Sequence, residues 1–296
     1  FLHKMNKTET LIIGAGPAGI ATAIQLKRFG LPPILLEKDR VGGLLRNANL
    51  VENYPGFPNG IPGPKLVALF EKQMRRIGVE VTYDEVTSLD FDGTRFLVHT
   101  KCNTYPASRI ILATGTKPKP FPIEIPAQAK DRVFSEVWPL RNVRGKQIVI
   151  VGAGDAAFDY ALNLASRENT VTILNRSHET VCLPLLRERA SANPSITYQE
   201  QTAIQRVETD VPTGRLQLFT DNCSLITDYL IFAIGREPQM DFLSEHVKLQ
   251  AQRLVEDGKL YLVGDVHNGP FRQTAIAAGD GLRAAMQIYA NLEKVR

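Results

Sequence analysis

The chain has only three cysteines, Cys102, Cys182 and Cys223, and they stand far apart. No CxxC pair and no metal-ligand spacing can be written from them, which excludes a local dithiol couple and a cysteine-based metal site. A reducing, cytoplasmic compartment is the simplest expectation. Long uninterrupted apolar runs are missing as well. The longest apolar stretch, Leu11 to Leu26, is broken by Gly14, Gly16, Pro17 and Gly19, which suits a strand followed by a helix and not a membrane span. The opening FLHKMNKTET lacks the apolar core of a signal peptide, and the residues ahead of Met5 read as a processing remnant. Nor is there a large excess of one charge. A net charge of +4 is too mild to suggest nucleic-acid binding, and the small basic groupings (Arg75 with Arg76; Arg141, Arg144 and Lys146; Arg187 with Arg189) read as solvated faces.

What remains is an ordinary globular composition, 44% hydrophobic and 22% charged over 296 residues, with length for about two domains. The chain is organised around Thr10 to Glu37. An apolar run (Leu11, Ile12, Ile13) feeds Gly14-Ala15-Gly16-Pro17-Ala18-Gly19, then an amphipathic stretch, then a second apolar run ending on Glu37. This is strand, glycine turn, helix, strand, acid. Gly14 allows the tight turn, Gly16 lets backbone approach a pyrophosphate, and Gly19 lets helix pack close to strand. The helix N-terminus offers its free N–H groups to phosphate. Glu37 stands at the distance of about 20 residues at which an acid bonds a ribose hydroxyl. The unit reads as a dinucleotide site.

Further along, Gly42-Gly43 and the Pro/Gly run from Tyr54 to Pro64 are loop-like. Leu66, Leu69, Phe70 and Met74 predict a helix over Lys65 to Ile77. Strands are expected near Val79 to Tyr83, Ser88 to Phe91, Arg95 to His99 and Arg109 to Leu112, the last ending in Ala113-Thr114-Gly115. In KPKPFPIEIP the prolines fall too close together for any regular element and mark a crossing between domains. A second cycle follows: Gly152-Ala153-Gly154-Asp155-Ala156-Ala157 between a strand and a helix, then a strand at Thr170 to Leu174. Gly235 to Pro238 reads as the return crossing. The last stretch gives a strand, a loop through Gly264 and Asp265, and a helix beginning near Gln273. The duplication predicts an α/β fold of two Rossmann-like (three-layer ββα) nucleotide-binding domains. The NAD(P)-binding domain (117–237) is inserted into an FAD-binding domain (1–116 and 238–296).

GAGPAG, GGLL (Gly42 to Leu45), VENYPGFP (Val51 to Pro58), ATG (Ala113 to Gly115), GAGDAA, AIG (Ala233 to Gly235), GD (Gly264, Asp265) and RQTAIAAGDG (Arg272 to Gly281) together resemble the low-molecular-weight thioredoxin reductases over nearly the whole chain. The resemblance implies FAD held by Gly14, Gly16, Pro17, Ala18, Gly19, Glu37, Gly43, Leu44, Asn53, Ala113, Thr114, Gly115, Gly264, Asp265, Arg272, Gln273 and Thr274. Within that set it places Asn53 and Gln273 near the isoalloxazine and Asp265 on the ribityl chain. It implies a pyridine nucleotide held by Gly152, Gly154, Asp155, Ala156, Asn175, Arg176 and Gly235, a homodimer, and hinges near Thr116 to Lys119 and Gly235 to Glu237.

Two departures stand out. The family's redox cysteines fall on Ser135 and Trp138, neither of which carries a thiol. No catalytic side chain is therefore expected, and Trp138 reads either as filling vacated volume or as a neighbour of the flavin. At the place equivalent to Glu37 the second unit has Asn175 followed by Arg176. The missing acid and the arginine favour a 2′-phosphate, hence NADPH over NADH. The sequence thus points to NADPH passing electrons through FAD to a small redox protein or small-molecule acceptor. Two alternatives stay open. One is a ferredoxin or flavodoxin reductase, though such enzymes generally carry a C-terminal aromatic extension that is not seen before Arg296. The other is a flavin-binding redox sensor or subunit whose second site is unused.

Overall fold

The computed structural model describes residues 10–210 and 212–294. The N-terminal segment on which the processing expectation falls lies outside the described residues. Along the chain come β1 (Thr10–Ile13), α1 (Pro17–Arg28), β2 (Ile34–Glu37), α2 (Gly63–Ile77) and β3 (Thr82–Tyr83). Then follow β4 (Val86–Phe91), β5 (Phe96–Thr100), β6 (Thr104–Ala107), β7 (Arg109–Leu112) and β8 (Thr116–Pro118). The next stretch contains β9 (Val133–Phe134), β10 (Gln147–Val151), α3 (Asp155–Ala165), β11 (Thr170–Leu174), α4 (Pro184–Ser191) and β12 (Ile196–Gln199). It continues with β13 (Ile204–Asp210), β14 (Arg215–Thr220), β15 (Ser224–Thr227) and β16 (Tyr229–Phe232). The chain closes with β17 (Arg236–Pro238), α5 (Glu245–Glu256), β18 (Leu260–Leu262) and α6 (Thr274–Lys294).

Two compact units result. One contains residues 10–46, Val51–Lys117 and 237–294; the other contains Asn47–Leu50 and Pro118–Arg236. In the first, a parallel sheet ordered β18-β7-β1-β2-β3 accompanies an antiparallel sheet β4-β5-β6. Side chains alternate across a strand, so β1 feeds two cores. Ile12 joins α1 and α6 residues such as Ile20, Ala23, Ala284 and Ile288. Leu11 and Ile13 join Leu89, Phe91, Phe96 and Val98 of the antiparallel sheet, with Val247 and Leu254 of α5. The second unit repeats the plan. Its parallel sheet is β12-β11-β10-β16-β9 and its antiparallel sheet β13-β14-β15. Ile148 and Ile150 of β10 face Phe158 and Leu164 of α3, while Val149 faces Val207, Leu216 and Leu218. Each unit is thus three layers, antiparallel sheet on parallel sheet on helices, as the duplicated pattern predicted.

Two local readings are corrected. The strand expected from Val79 is confined to Thr82–Tyr83, because Val79 donates its N–H to Met74 O at 3.0 Å and finishes α2. The proline-rich crossing is not wholly irregular. β8 pairs with β17 as a two-stranded ribbon. Lys119 N donates to Gly235 O at 3.2 Å and Gln239 N to Gly115 O at 3.1 Å. Pro118 is tolerated because a proline on an edge strand need not donate.

Candidate cofactor sites

In the first unit Gly14 sits at φ +104°, and a Cβ there would lie 2.5 Å from Ala113 O. A Cβ on Gly19 would lie 1.9 Å from Gly14 O. Both glycines are therefore demanded by the close crossing of the loop over β7 and by the seating of α1. Gly16 is different. Its Cβ would meet no protein atom within 4 Å, so this backbone borders open space, as a pyrophosphate cradle requires. Gly16 caps α1 without a side-chain hydrogen bond, Pro17 opens the helix, and its first turn holds no acid. The positive end of the helix is left to an anion.

Glu37, at the end of β2, accepts a hydrogen bond from Ala15 N at 2.8 Å on one carboxylate oxygen and from Asp39 N at 3.0 Å on the other. The acid is thus tied to the glycine loop, with its remaining lone pairs at the sheet's C-terminal edge. Gly42 N donates to Ala15 O at 2.7 Å, and a Cβ on Gly43 would come within 3.4 Å of the Gly16 Cα. The GGLL segment, including Leu44, therefore lies against the same cradle. Thr114, between Ala113 and Gly115, donates through Oγ1 to Gln239 O at 2.7 Å. Asn53 Nδ2 donates to Gln273 Oε1 at 2.8 Å, joining the VENYPGFP loop to the residue before α6. Gln273 O accepts Ala277 N at 2.9 Å, Thr274 begins α6, and Arg272 is half-buried beside them.

Gly264 and Asp265 form a short helical turn after β18, and Gly264 N donates to Asp280 Oδ2 at 3.2 Å. Asn268 Nδ2 donates to the same oxygen at 2.6 Å. Asp280 was not among the expected site residues. It lies inside the AGDG stretch, but only the folded chain reveals that α6 anchors the turn carrying Asp265.

The second cradle repeats the first. Gly152 lies at φ +139° with its Cβ position 2.3 Å from Ala233 O, and Gly154 borders open space. Gly154 caps α3 with no side-chain bond. Here the first turn does carry an acid. Asp155 Oδ1 accepts Leu183 N at 2.7 Å and Val181 N donates to Ala153 O at 3.1 Å, so residues 181–183 run alongside the glycine loop. Ala156 is exposed beside it, and Gly235 lies at φ +107° in the return crossing.

Asn175 is buried, 5% exposed. Its Nδ2 donates to Glu179 O and to Tyr198 Oη, each at 2.9 Å, and its Oδ1 accepts Ser177 N at 3.2 Å. The amide is spent on organising the turn. Arg176 is exposed next to it, while His178 and Arg187 both reach Glu200, at 3.3 and 3.8 Å.

Ser135 and Trp138 flank Glu136 at the start of a helical turn. Trp138 N donates to Asn47 Oδ1 at 3.0 Å, and Asn47 Nδ2 to Glu136 Oε2 at 3.1 Å. Glu136 also pairs with Arg236 at 2.9 Å, and Arg141 lies 5.0 Å from the Trp138 ring centre. In the same unit Asp159 accepts Asn49 N at 2.9 Å. Burial pushes its carboxyl up to about 6 against the opposing pull of the Asn49 and Leu50 amides. The cysteines stand elsewhere and unpaired, Cys102 and Cys223 exposed at hairpin turns and Cys182 half-buried. Burial raises the Cys182 thiol, and Asp155 adds to the rise, opposite to what an activated thiolate needs.

The model of the family described as pyridine nucleotide-disulphide oxidoreductase matches residues 8–281. The chain belongs to that family. It is 31% identical over 306 residues to a thioredoxin reductase of Rickettsia felis, covering 97% of this chain and 99% of the relative. To a thioredoxin reductase of Chlamydia pneumoniae it is 29% identical, over 95% and 98%. Among solved structures, thioredoxin reductase from T. acidophilum superimposes with a TM-score of 0.81 at 25% identity, over 96% of this chain and 98% of that one. The Lactococcus lactis thioredoxin reductase in its FR conformation gives 0.78 at 26% identity, over 95% and 97%. The chain is accordingly a thioredoxin reductase-like flavoprotein, an FAD-dependent oxidoreductase of this family, whose cofactors are FAD and NADPH. Among the described residues no helix is long and apolar enough to cross a membrane, and no group of metal-ligating side chains gathers.

Proposed function

We propose that this chain is an NADPH-dependent flavin oxidoreductase that serves an external acceptor, a small redox protein or a small molecule, without an enzyme disulfide. The observation that carries the reading is the segment Ser135-Glu136-Val137-Trp138. Its hydrogen bonds to Asn47 and ion pair to Arg236 make it a fixed structural turn, and the three thiols of the chain lie elsewhere. FAD, when bound, supplies a two-electron carrier between a pyridine nucleotide and an acceptor.

The protein's part is binding and orientation. Gly14 to Gly19 and the α1 N-terminus would hold the pyrophosphate, and Glu37 the ribose. The Asn53–Gln273 pair would lie beside the ring system, with Asp265 at the ribityl chain. Gly152, Gly154, Asp155, Ala156, Arg176 and Gly235 would take the second dinucleotide. Asn175 supports this second site from behind, since its amide is already bonded within the protein. The crossing strands β8 and β17 are the hinge positions in this reading, and a homodimer in the cytoplasm is the expected setting.

Anaerobic titration with NADPH and NADH tests the scheme. Flavin absorbance near the usual band at about 450 nm should bleach with NADPH, and equally in a C102S/C182S/C223S variant. No bleaching with either nucleotide would instead favour a flavin-binding sensor. Loss of bleaching or of acceptor turnover in the cysteine-free variant would restore a thiol to the mechanism. Reduction of insulin in the presence of thioredoxin would contradict the disulfide-free reading.

A further inference from the structure

We infer that Glu200 limits how strongly the second unit discriminates NADPH from NADH, by occupying basic side chains, Arg187 foremost, that a 2′-phosphate would need. The inference rests on the reading of that unit as the pyridine nucleotide domain. Its starting point is position. β11 and β12 run parallel with Leu174 beside Gln199, and Asn175 N donates to Gln199 O at 2.8 Å. Glu200 therefore emerges next to Asn175, just past the carboxyl ends of the strands, the edge at which open α/β sheets bind ligands.

The residue that would read the ribose has been withdrawn. Asn175 is buried with its amide committed to Glu179 O, Tyr198 Oη and Ser177 N. Discrimination at this edge then falls to the charges around it. Arg176 is exposed. His178 Nδ1 lies 3.3 Å from one Glu200 oxygen and Arg187 Nη2 lies 3.8 Å from the other. One carboxylate thus answers two basic side chains that come from different segments, the turn after β11 and helix α4.

A phosphate monoester carries about −1.5 to −2 charges near neutrality. At this edge it meets a carboxylate of the same sign, and it must also take Arg187 from its present partner. NADH carries no 2′-phosphate and meets neither obstacle. Glu200 is therefore a built-in rival of the phosphate. It narrows the preference for NADPH without abolishing it, since Arg176 is not part of the Glu200 cluster.

The rival is separable from folding. His178, Arg187 and Glu200 have side chains 68%, 53% and 36% exposed, and ion pairs of that exposure contribute little to stability. Glu200→Gln keeps the volume and the hydrogen-bonding capacity and removes only the charge.

The test uses calorimetry on the flavin-loaded protein with two probes, 2′,5′-ADP and 5′-AMP. Glu200→Gln should bind 2′,5′-ADP about three- to tenfold more tightly than the parent protein, with 5′-AMP affinity unchanged. The gain should shrink as salt is raised, and adding Arg187→Ala to the variant should erase most of it. Steady-state NADPH and NADH selectivity should shift in the same direction. Equal changes for both probes, or no change for 2′,5′-ADP, overturn the role of Glu200 while leaving the nucleotide site standing. Failure of parent and variant alike to bind either probe overturns the nucleotide-site reading itself, and this inference with it. A thermal melt of the variant matching the parent excludes misfolding as the cause of any loss.

Discussion

Asn53 and Gln273, separated by 220 positions in the chain, meet through a single hydrogen bond of 2.8 Å. One immediately precedes the run from Tyr54 to Pro64 that is rich in glycine and proline, the other immediately precedes α6, so the bond fixes the mutual position of two segments that have no strand pairing to do it. Asn53→Ala should lower stability by only about 0.5–1.5 kcal/mol, the net value of one such bond. It should weaken FAD retention more visibly, several-fold in fluorescence titration. Undiminished FAD affinity would show that neither residue lies at the flavin.

Glu37 binds two backbone amides of the cradle region. Hydrogen bonds to a charged group contribute about 1.5–3 kcal/mol. Glu37→Ala should therefore raise the FAD dissociation constant by roughly ten- to a hundredfold, measured by flavin release on dialysis. In the proposed FAD site the loss would come from two sources, the ribose contact and the slackened Ala15 backbone. Glu37→Gln, which keeps one acceptor, should fall between.

Asp159 gives a pH signature. Burial raises its carboxyl to about 6 from near 3.9 in an unfolded chain. Between those values the folded protein holds a proton that the unfolded chain has released. Stability should thus fall as pH rises through that window, and the cost of the buried charge persists above it. Asp159→Asn should remove this slope and leave the protein more stable at pH 7.5. The gain expected is about 1–2 kcal/mol after discounting for partial exposure, read from urea melts at several pH values.

Asp280 receives the amide of Gly264 and the side chain of Asn268. Asp280→Ala leaves a buried N–H without its acceptor and should destabilise the protein by about 1–3 kcal/mol. FAD affinity should drop with it, because the turn that carries Asp265 loses its anchor. Normal FAD binding in a destabilised variant would separate the two roles.

Both cradles were legible in the sequence because their constraints are local. A glycine whose Cβ position lies 2.3 or 2.5 Å from a carbonyl admits no other residue, so it is written into a six-residue pattern. The three-layer repeat was legible too, since alternate residues of β1 and β10 feed opposite cores. What escaped is assembled from distant segments. Nothing adjacent to Asn175 announces that Tyr198, from another strand, will take its amide. Nothing near Gly264 announces that its amide partner is Asp280 on α6. Residues Asn47–Leu50, surrounded in sequence by the first domain, group with the second unit through amides and side chains that bond Glu136, Trp138 and Asp159. Such pairings depend on topology, which residue type alone does not encode.

The β8–β17 ribbon also bears on how such a chain is built. Within the first unit Lys117 lies 3.1 Å from Glu237 and also reaches Asp241. Within the second, Lys119 N meets Gly235 O. The whole of Pro118–Arg236 thus departs and returns through one narrow gateway, and joining the ends it leaves behind requires almost no span. Closing so short a gap with a few flexible residues costs little loop entropy, so the two long segments of the first unit could be rejoined there at small cost. Excising Pro118–Arg236 there would leave the strand order β18-β7-β1-β2-β3 in place, but it would also strip Asn47–Leu50 of their partners Glu136, Trp138 and Asp159.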